Sequence, residues 1–143
     1  MAAGINTPMV LVTNSGNQSI STATNTLVTF DTETLDTDGA FASNTFTVPT
    51  GGDGVYGIFG FGAMQGIDAG EFTQMRIYLN GTANSFFENR MTSHATDTER
   101  KYGGGGAFNL SAGDTIKFFV FQNSGDAQNL TNATGYIYKV AGK

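Results

Sequence analysis

Few side chains in this sequence could carry out chemistry. His94 is the only histidine, and the chain contains no cysteine. A protein zinc site usually needs three or four nitrogen, sulfur or oxygen donors, so one histidine does not provide it. The G-x-S-x-G turn that presents a nucleophilic serine in many hydrolases is also absent. We therefore predict no catalytic residue, no cofactor and no enzymatic activity.

Four carboxylates lie close together in the sequence, namely Asp31, Glu33, Asp36 and Asp38. Carboxylate oxygens are the ligands that Ca²⁺ prefers, which makes these four residues calcium candidates. Their spacing is not that of an EF-hand, because the bidentate glutamate at the end of that loop is missing. The sequence therefore favours a solvated loop whose Asp and Thr side chains hydrogen-bond to their own backbone, and we predict no metal site, with calcium binding as the alternative.

The overall charge excludes one class of partner. The net charge is −5, and the seven Lys and Arg residues are scattered along the chain. Binding to phosphate backbones requires a basic patch, so we expect no nucleic-acid partner. No apolar stretch approaches the ~18 residues of a transmembrane helix, and the N-terminus shows no signal peptide, so we expect a chain made in the cytoplasm without a membrane contact.

Short alternating segments define the expected elements. Phe72 to Leu79 alternates between two faces, and so does Thr115 to Gln122. Further strands are expected at residues 9–13, 26–31, 44–48, 55–63 and 134–140, with residues 31–38 as an acidic loop. Gly103 to Gly106 is expected to be a flexible or sharply bent connection. The pattern predicts an all-β, antiparallel sandwich or jelly roll of one domain.

One predicted strand has two apolar faces. In Thr115 to Gln122, alternation places Ile116, Phe118 and Val120 on the side opposite Phe119 and Phe121. Soluble monomers rarely expose large apolar patches, so the second face needs a partner. Phe119 and Phe121 are therefore candidates for a contact between subunits. Residues 86–87, two further phenylalanines, stay undecided between core and interface.

Seven short segments, taken together and in this order, resemble C1q/TNF-like domains, most closely the short, cysteine-free kind found in tailed bacteriophages. These are residues 17–20 (NQSI), 30–33 (FDTE), 36–39 (DTDG), 46–49 (FTVP), 54–56 (GVY), 77–81 (IYLNG) and 110–116 (LSAGDTI). The resemblance runs from about residue 9 to residue 138. It implies a jelly-roll sandwich of about ten strands, with residues 1–8 as a short N-terminal lead and residues 9–143 as the domain.

The resemblance also implies a mode of assembly. Domains of this kind form compact homotrimers with aromatic residues near the threefold axis, which adds Tyr136 and Tyr138 of the closing strand to the candidates for the trimer interface. No collagen-like Gly-X-Y stalk precedes the domain in this sequence, which argues against a place at the tip of a long fibre.

The functional expectation follows from the resemblance. We expect a phage virion structural protein, a homotrimer that decorates or cements the capsid, with other virion proteins such as the major capsid protein as partners. Its localisation would be the virion, after assembly in the host cytoplasm. The alternatives are a receptor-binding adhesin at a tail or fibre tip that recognises a host glycan or protein, and a bacterial surface or spore-coat module.

Overall fold

The computed structural model describes residues 7–83, 88–96 and 98–142. Within these ranges the chain forms thirteen strands and no helix. The strands build two antiparallel sheets that pack face to face, which confirms the predicted all-β antiparallel sandwich. No helix in the described ranges is long and apolar enough to cross a membrane.

The first sheet, called sheet I here, has the strand order β11-β7-β13-β1-β4, and β2 also pairs with β13. Its strands are β1 (Met9–Asn14), β2 (Gln18–Ile20), β4 (Thr32–Asp36), β7 (Gly54–Ile67), β11 (Thr98–Leu110) and β13 (Gln128–Gly142).

The second sheet, sheet II, has the order β10-β8-β12-β6-β5, with β3 on β12 and β9 on β8. Its strands are β3 (Thr26–Leu27), β5 (Phe41–Ala42), β6 (Thr45–Thr47), β8 (Phe72–Leu79), β9 (Thr82–Ala83), β10 (Asn89–Thr92) and β12 (Thr115–Gln122).

The core lies between the sheets and follows the alternation of the long strands. On β12, Ile116, Phe118 and Val120 are buried, as the sequence predicted. The ring of Phe118 lies against two glycines of sheet I, since a Cβ at Gly60 or at Gly135 would come within 2.8 or 2.9 Å of that ring. Glycine at these inward positions of sheet I therefore makes room for a large side chain from sheet II.

The glycine run is part of a strand, so the expectation of a bent connection at residues 103–106 is wrong. In the register of β11 and β7, Gly103 lies opposite Phe61 and Gly105 opposite Phe59. A Cβ at Gly105 would collide with the carbonyl oxygen of Ile58. The two strands approach so closely that glycine is required, and low strand propensity does not prevent the pairing.

The acidic segment also differs from its prediction as a loop. Residues 32–36 form β4, the edge strand of sheet I, which pairs with β1 and leaves most of its side chains exposed. The strand expected at residues 26–31 contracts to Thr26–Leu27. An exposed edge strand of polar residues lacks the alternation of apolar and polar side chains that reveals a strand in the sequence, because neither of its faces enters the core.

Candidate functional site

Two strands of sheet I place aromatic side chains on the outer surface of the sandwich. On β7, Ile58 and Gly60 point into the core, and alternation turns Phe59 and Phe61 outward. The sequence predicted a strand at residues 55–63, but these two phenylalanines were not among the interface candidates. The signal was available in the alternation of glycine with phenylalanine along residues 57–62.

The register brings the tyrosines of β13 beside these phenylalanines. Tyr136 lies directly opposite Phe59. The rings of Phe59 and Tyr138 stack with centroids 6.3 Å apart, and Phe61 meets Tyr136 edge to face at 6.1 Å. Both distances lie in the range where aromatic pairs attract each other. The four rings form one continuous cluster.

Aliphatic side chains extend this cluster across the sheet. Leu11 of β1 lies opposite Tyr136 and also opposite Leu35 of β4, while Met9 lies opposite Tyr138. We call the whole surface the aromatic face, and it consists of Met9, Leu11, Leu35, Phe59, Phe61, Tyr136 and Tyr138.

The aromatic face is the main exposed apolar surface of the described residues. Among the described residues, seven large hydrophobic side chains are exposed, and five of these seven belong to the aromatic face. They are Met9 (44 %), Leu35 (40 %), Phe61 (46 %), Tyr136 (42 %) and Tyr138 (38 %). Isolated exposed hydrophobic residues are ordinary, but a contiguous group on one sheet usually marks an interaction surface.

The four interface candidates from the sequence do not lie together. Tyr136 and Tyr138 belong to the aromatic face, whereas Phe119 and Phe121 lie half-buried on the outer surface of sheet II. Because the two outer surfaces face opposite directions, one flat contact between subunits cannot include all four. Which pair lies between subunits stays a prediction. The phenylalanines at residues 86–87 lie outside the described residues.

The calcium candidates are engaged with the backbone. The carboxylate of Asp31 accepts one hydrogen bond at Oδ2 from the Ser15 amide at 3.1 Å and another at Oδ1 from the Thr32 hydroxyl at 2.9 Å. The Ser15 amide is the main reason that the pKa of Asp31 lies below its usual value of 3.8. Asp36 accepts from the amides of Ala40 at 2.9 Å and Phe41 at 2.8 Å.

These contacts give Asp31 and Asp36 a role in shaping the turns on either side of β4. Glu33 and Asp38 are exposed, and the Thr37 hydroxyl donates to Asp38 at 2.7 Å. His94 is exposed as well. The described part of the chain holds no group of three acidic, histidine or cysteine side chains able to hold a metal ion. That these residues hold no metal stays a prediction, with calcium as its alternative.

A groove of about 280 Å³ opens between the edge strands next to the acidic segment. Phe30, Phe41 and Val12 form its apolar floor, with Asp31 and Glu33 at its rim. The rings of Phe30 and Phe41 pack edge to face, and Phe30 packs in the same way against Phe118. The groove thus borders the core at the open side of the sandwich.

No known protein-family profile matches this sequence, and no curated protein matches it either. Solved structures do. The globular domain of zebrafish complement 1qA protein is similar over 95 % of this chain and 99 % of its own, with a TM-score of 0.66 and 17 % identity. Murine APRIL, solved at pH 5.0, is similar over 94 % of this chain and 100 % of its own, with a TM-score of 0.67 and 13 % identity.

These similarities establish the fold. The chain is a jelly-roll sandwich of the C1q/TNF-like kind, as the resemblance implied. At this level of identity the agreement concerns the path of the backbone. What the protein does must be argued from its own surfaces.

Proposed function

We propose that the protein is a non-catalytic, homotrimeric jelly-roll module whose subunits associate through the aromatic face. The observation that carries this proposal is the exposure of five large apolar side chains on one side of sheet I. Covering them in a complex of identical chains removes apolar surface from water, which is the main driving force of association.

The neighbouring edge of sheet I supports a ring over a twofold dimer. Beside the aromatic face, the edge strand β11 presents Gly103, Gly105 and Ala107 on the same outer side, as their pairing with β7 requires. The ring of Phe61 already lies against Gly103, but Gly105 and Ala107 carry little or no side chain, so a backbone or a ring from another subunit can approach them closely. Aromatic rings on one subunit and a flat strip on the next form a heterologous contact, the kind of contact that generates a ring when its rotation closes.

The finer proposal is that this trimer decorates or cements the capsid of a bacteriophage, with the virion as its location and other virion proteins as its partners. Its support is the similarity of the seven sequence segments to the cysteine-free phage domains. The chain has no cysteine, so disulfides do not stabilise it, and burial between subunits can supply that stability instead.

Disulfide trapping tests the ring directly, because the chain has no cysteine of its own. In one subunit, β11 and β13 flank β7, so Ala107 and Tyr136 are two strand spacings apart, roughly 10 Å, which is too far for a disulfide within the subunit. We expect the double variant Ala107→Cys/Tyr136→Cys to form a covalent three-chain species on oxidation.

The single variants Ala107→Cys and Tyr136→Cys are the matched controls. Ala107→Cys should not link chains, because a heterologous ring brings Ala107 against a different position of the next subunit. A covalent dimer of Ala107→Cys would instead show a twofold contact and contradict the ring. A link in Tyr136→Cys alone is compatible with the trimer, because residues near a threefold axis meet their own copies. The virion proposal has its own test, which is electron cryomicroscopy of the parent particle. Density for this jelly roll on the capsid would support it, and density at the tail tip would support an adhesin.

A further inference from the structure

The outer surface of sheet II carries a second, chemically different group of side chains. Alternation along β8 turns Phe72, Gln74, Arg76 and Tyr78 outward, and the neighbouring strands add their own outward residues. We call this surface the arginine–aromatic face. Its members are Phe72, Arg76, Tyr78, Arg90, Lys117, Phe119 and Phe121.

The rings of this face are stacked on one another. Tyr78 and Phe119 stack with centroids 4.1 Å apart. Phe72 and Phe121 stack at 5.7 Å with their planes 21° apart. Rings stacked in this way between adjacent strands stand upright on the sheet and turn their edges to the solvent.

Arginines extend the second stack at both ends. The guanidinium of Arg76 lies over the ring of Phe121 at 4.8 Å from its centroid, and that of Arg90 lies over Phe72 at 3.5 Å. Both distances are within the range of cation–π attraction. These contacts form one continuous stack of two rings with a guanidinium at each end, in the order Arg76, Phe121, Phe72 and Arg90.

This stacking determines what the face can bind. A sugar ring or a nucleic-acid base would need a free aromatic ring face, and in the series of Phe72 and Phe121 both faces of each ring contact another ring or a guanidinium group. What points outward are ring edges, which carry the positive part of the aromatic quadrupole, together with the cations themselves. The exposed chemistry is electropositive and suits carboxylates.

The distribution of charge agrees with this. Three cations, Arg76, Arg90 and Lys117, share the face with the carboxylate of Glu88, while Glu71 and Asp114 lie at the ends of β8 and β12, in a chain whose net charge is −5. Glu88 forms a salt bridge to Arg76 at 3.4 Å. Among the described residues, Arg90 and Lys117 form no salt bridge. Two cations thus remain available to a ligand.

Arg76 is held in place by its neighbours at one end of the stack. Its guanidinium donates to the side-chain oxygen of Gln74 at 3.0 Å and also to Asn25. Gln74 in turn donates to Glu88 at 2.6 Å. Because Arg76 is fixed by its neighbours, the stack is ordered before a partner binds at Arg90 and Lys117, and little conformational freedom is lost there on binding.

We propose that the arginine–aromatic face docks an acidic segment of another protein, with Arg90 and Lys117 as the principal contacts and the ring edges as the surface between them. This proposal does not depend on the trimer, because the face lies on the sheet opposite the aromatic face. It assigns the two sides of the sandwich to two tasks, self-association through sheet I and partner binding through sheet II.

The test uses a fluorescein-labelled decaglutamate peptide and fluorescence anisotropy at low salt. A chain of charge −5 repels this probe everywhere except at a local positive surface. We expect saturable binding that weakens as salt is added. Lys117→Glu and Arg90→Glu should each weaken it about tenfold or more, because each reverses a charge at the contact.

Lys139→Glu is the matched control, since it makes the same change of charge on sheet I. It should leave binding within about twofold of wild type. The proposal is overturned if wild type does not bind decaglutamate, or if the control loses as much affinity as Lys117→Glu. It is equally overturned if polygalacturonate binds and decaglutamate does not, or if Lys117→Glu changes the number of subunits, which would make this face a contact between copies.

Discussion

Replacing Phe61 by aspartate places a charge on the most exposed ring of the aromatic face. Phe61 keeps 46 % of its surface exposed in the single chain. A phenylalanine presents roughly 200 Å² in all, so roughly 90 Å² can be covered by another subunit. At about 25 cal/mol per Å², covering it contributes about 2 kcal/mol in each subunit and about 7 kcal/mol in a trimer.

The variant loses this contribution and adds a penalty. An unpaired carboxylate buried between subunits costs several kcal/mol for each copy, whereas in the monomer the same group stays in water. Over three subunits the loss amounts to more than about 10 kcal/mol, a factor of roughly 10⁷ in the association constant. We therefore expect Phe61→Asp to be a folded monomer at micromolar concentration.

Light scattering gives the mass of the variant, and far-UV circular dichroism shows whether its sheets remain. Phe121→Asp is the matched control, because it makes the same replacement on the opposite sheet. It removes a stacked ring pair worth roughly 1 kcal/mol, so the protein should fold and still assemble. A trimeric Phe61→Asp beside a monomeric Phe121→Asp would refute this reasoning and place the contact at Phe119 and Phe121, as the sequence suggested.

Three further predictions concern the core and the acidic segment. Phe118→Asp should abolish folding, seen as loss of the β-sheet spectrum and of solubility, because Phe118 is 1 % exposed and a buried charge adds several kcal/mol to the ~3–5 kcal/mol for losing a core ring; a folded Phe118→Asp would show that the faces of β12 are reversed. Millimolar EDTA should leave the melting temperature unchanged, and a drop of several degrees that calcium restores would make residues 31–38 a ligand set. The pKa of Asp31 in a carboxyl NMR titration should lie below 3.8, and a value at or above 3.8 would exclude the Ser15 contact in solution. Because the folded pKa is lowered, the contact stabilises the protein above the unfolded pKa, and this stabilisation is lost as pH falls through the folded pKa.

Two strands with one buried face could be predicted from the sequence with accurate bounds, whereas β7 and β13 extend beyond the predicted residues 55–63 and 134–140. Phe72–Leu79 and Thr115–Gln122 coincide with β8 and β12, and the buried side of β12 is the one expected. Alternation is a local property of such strands, because each side chain reports its own face. The sequence carries no comparable signal for which strands become neighbours.

The surfaces therefore could be predicted only in part. That Phe119 and Phe121 point outward follows from alternation, but that they lie on the sheet opposite Tyr136 and Tyr138 depends on long-range pairing. Phe61 was not identified as an interface candidate for the same reason, since its aromatic partner is Tyr136, 75 positions later in the chain. The stack of arginines and rings on sheet II likewise requires the register of β8 with β10 and β12.

Glycine was the most misleading residue. In Gly103 to Gly106 it suggested a bend, because glycine usually weakens strands. At Gly103 and Gly105 the structure uses it because β11 lies too close to β7 for a Cβ, a requirement that depends on the neighbouring strand. In the proposed trimer, this edge of sheet I receives another subunit.

The central claim is that the aromatic face is covered by identical subunits, and the mass of the wild-type protein in solution tests it most directly. Light scattering on a size-exclusion peak at micromolar concentration should give about 45 kDa, three times the chain mass of 15.0 kDa. A single monodisperse species of 15.0 kDa would show that the aromatic face remains open to solvent and would contradict the trimer.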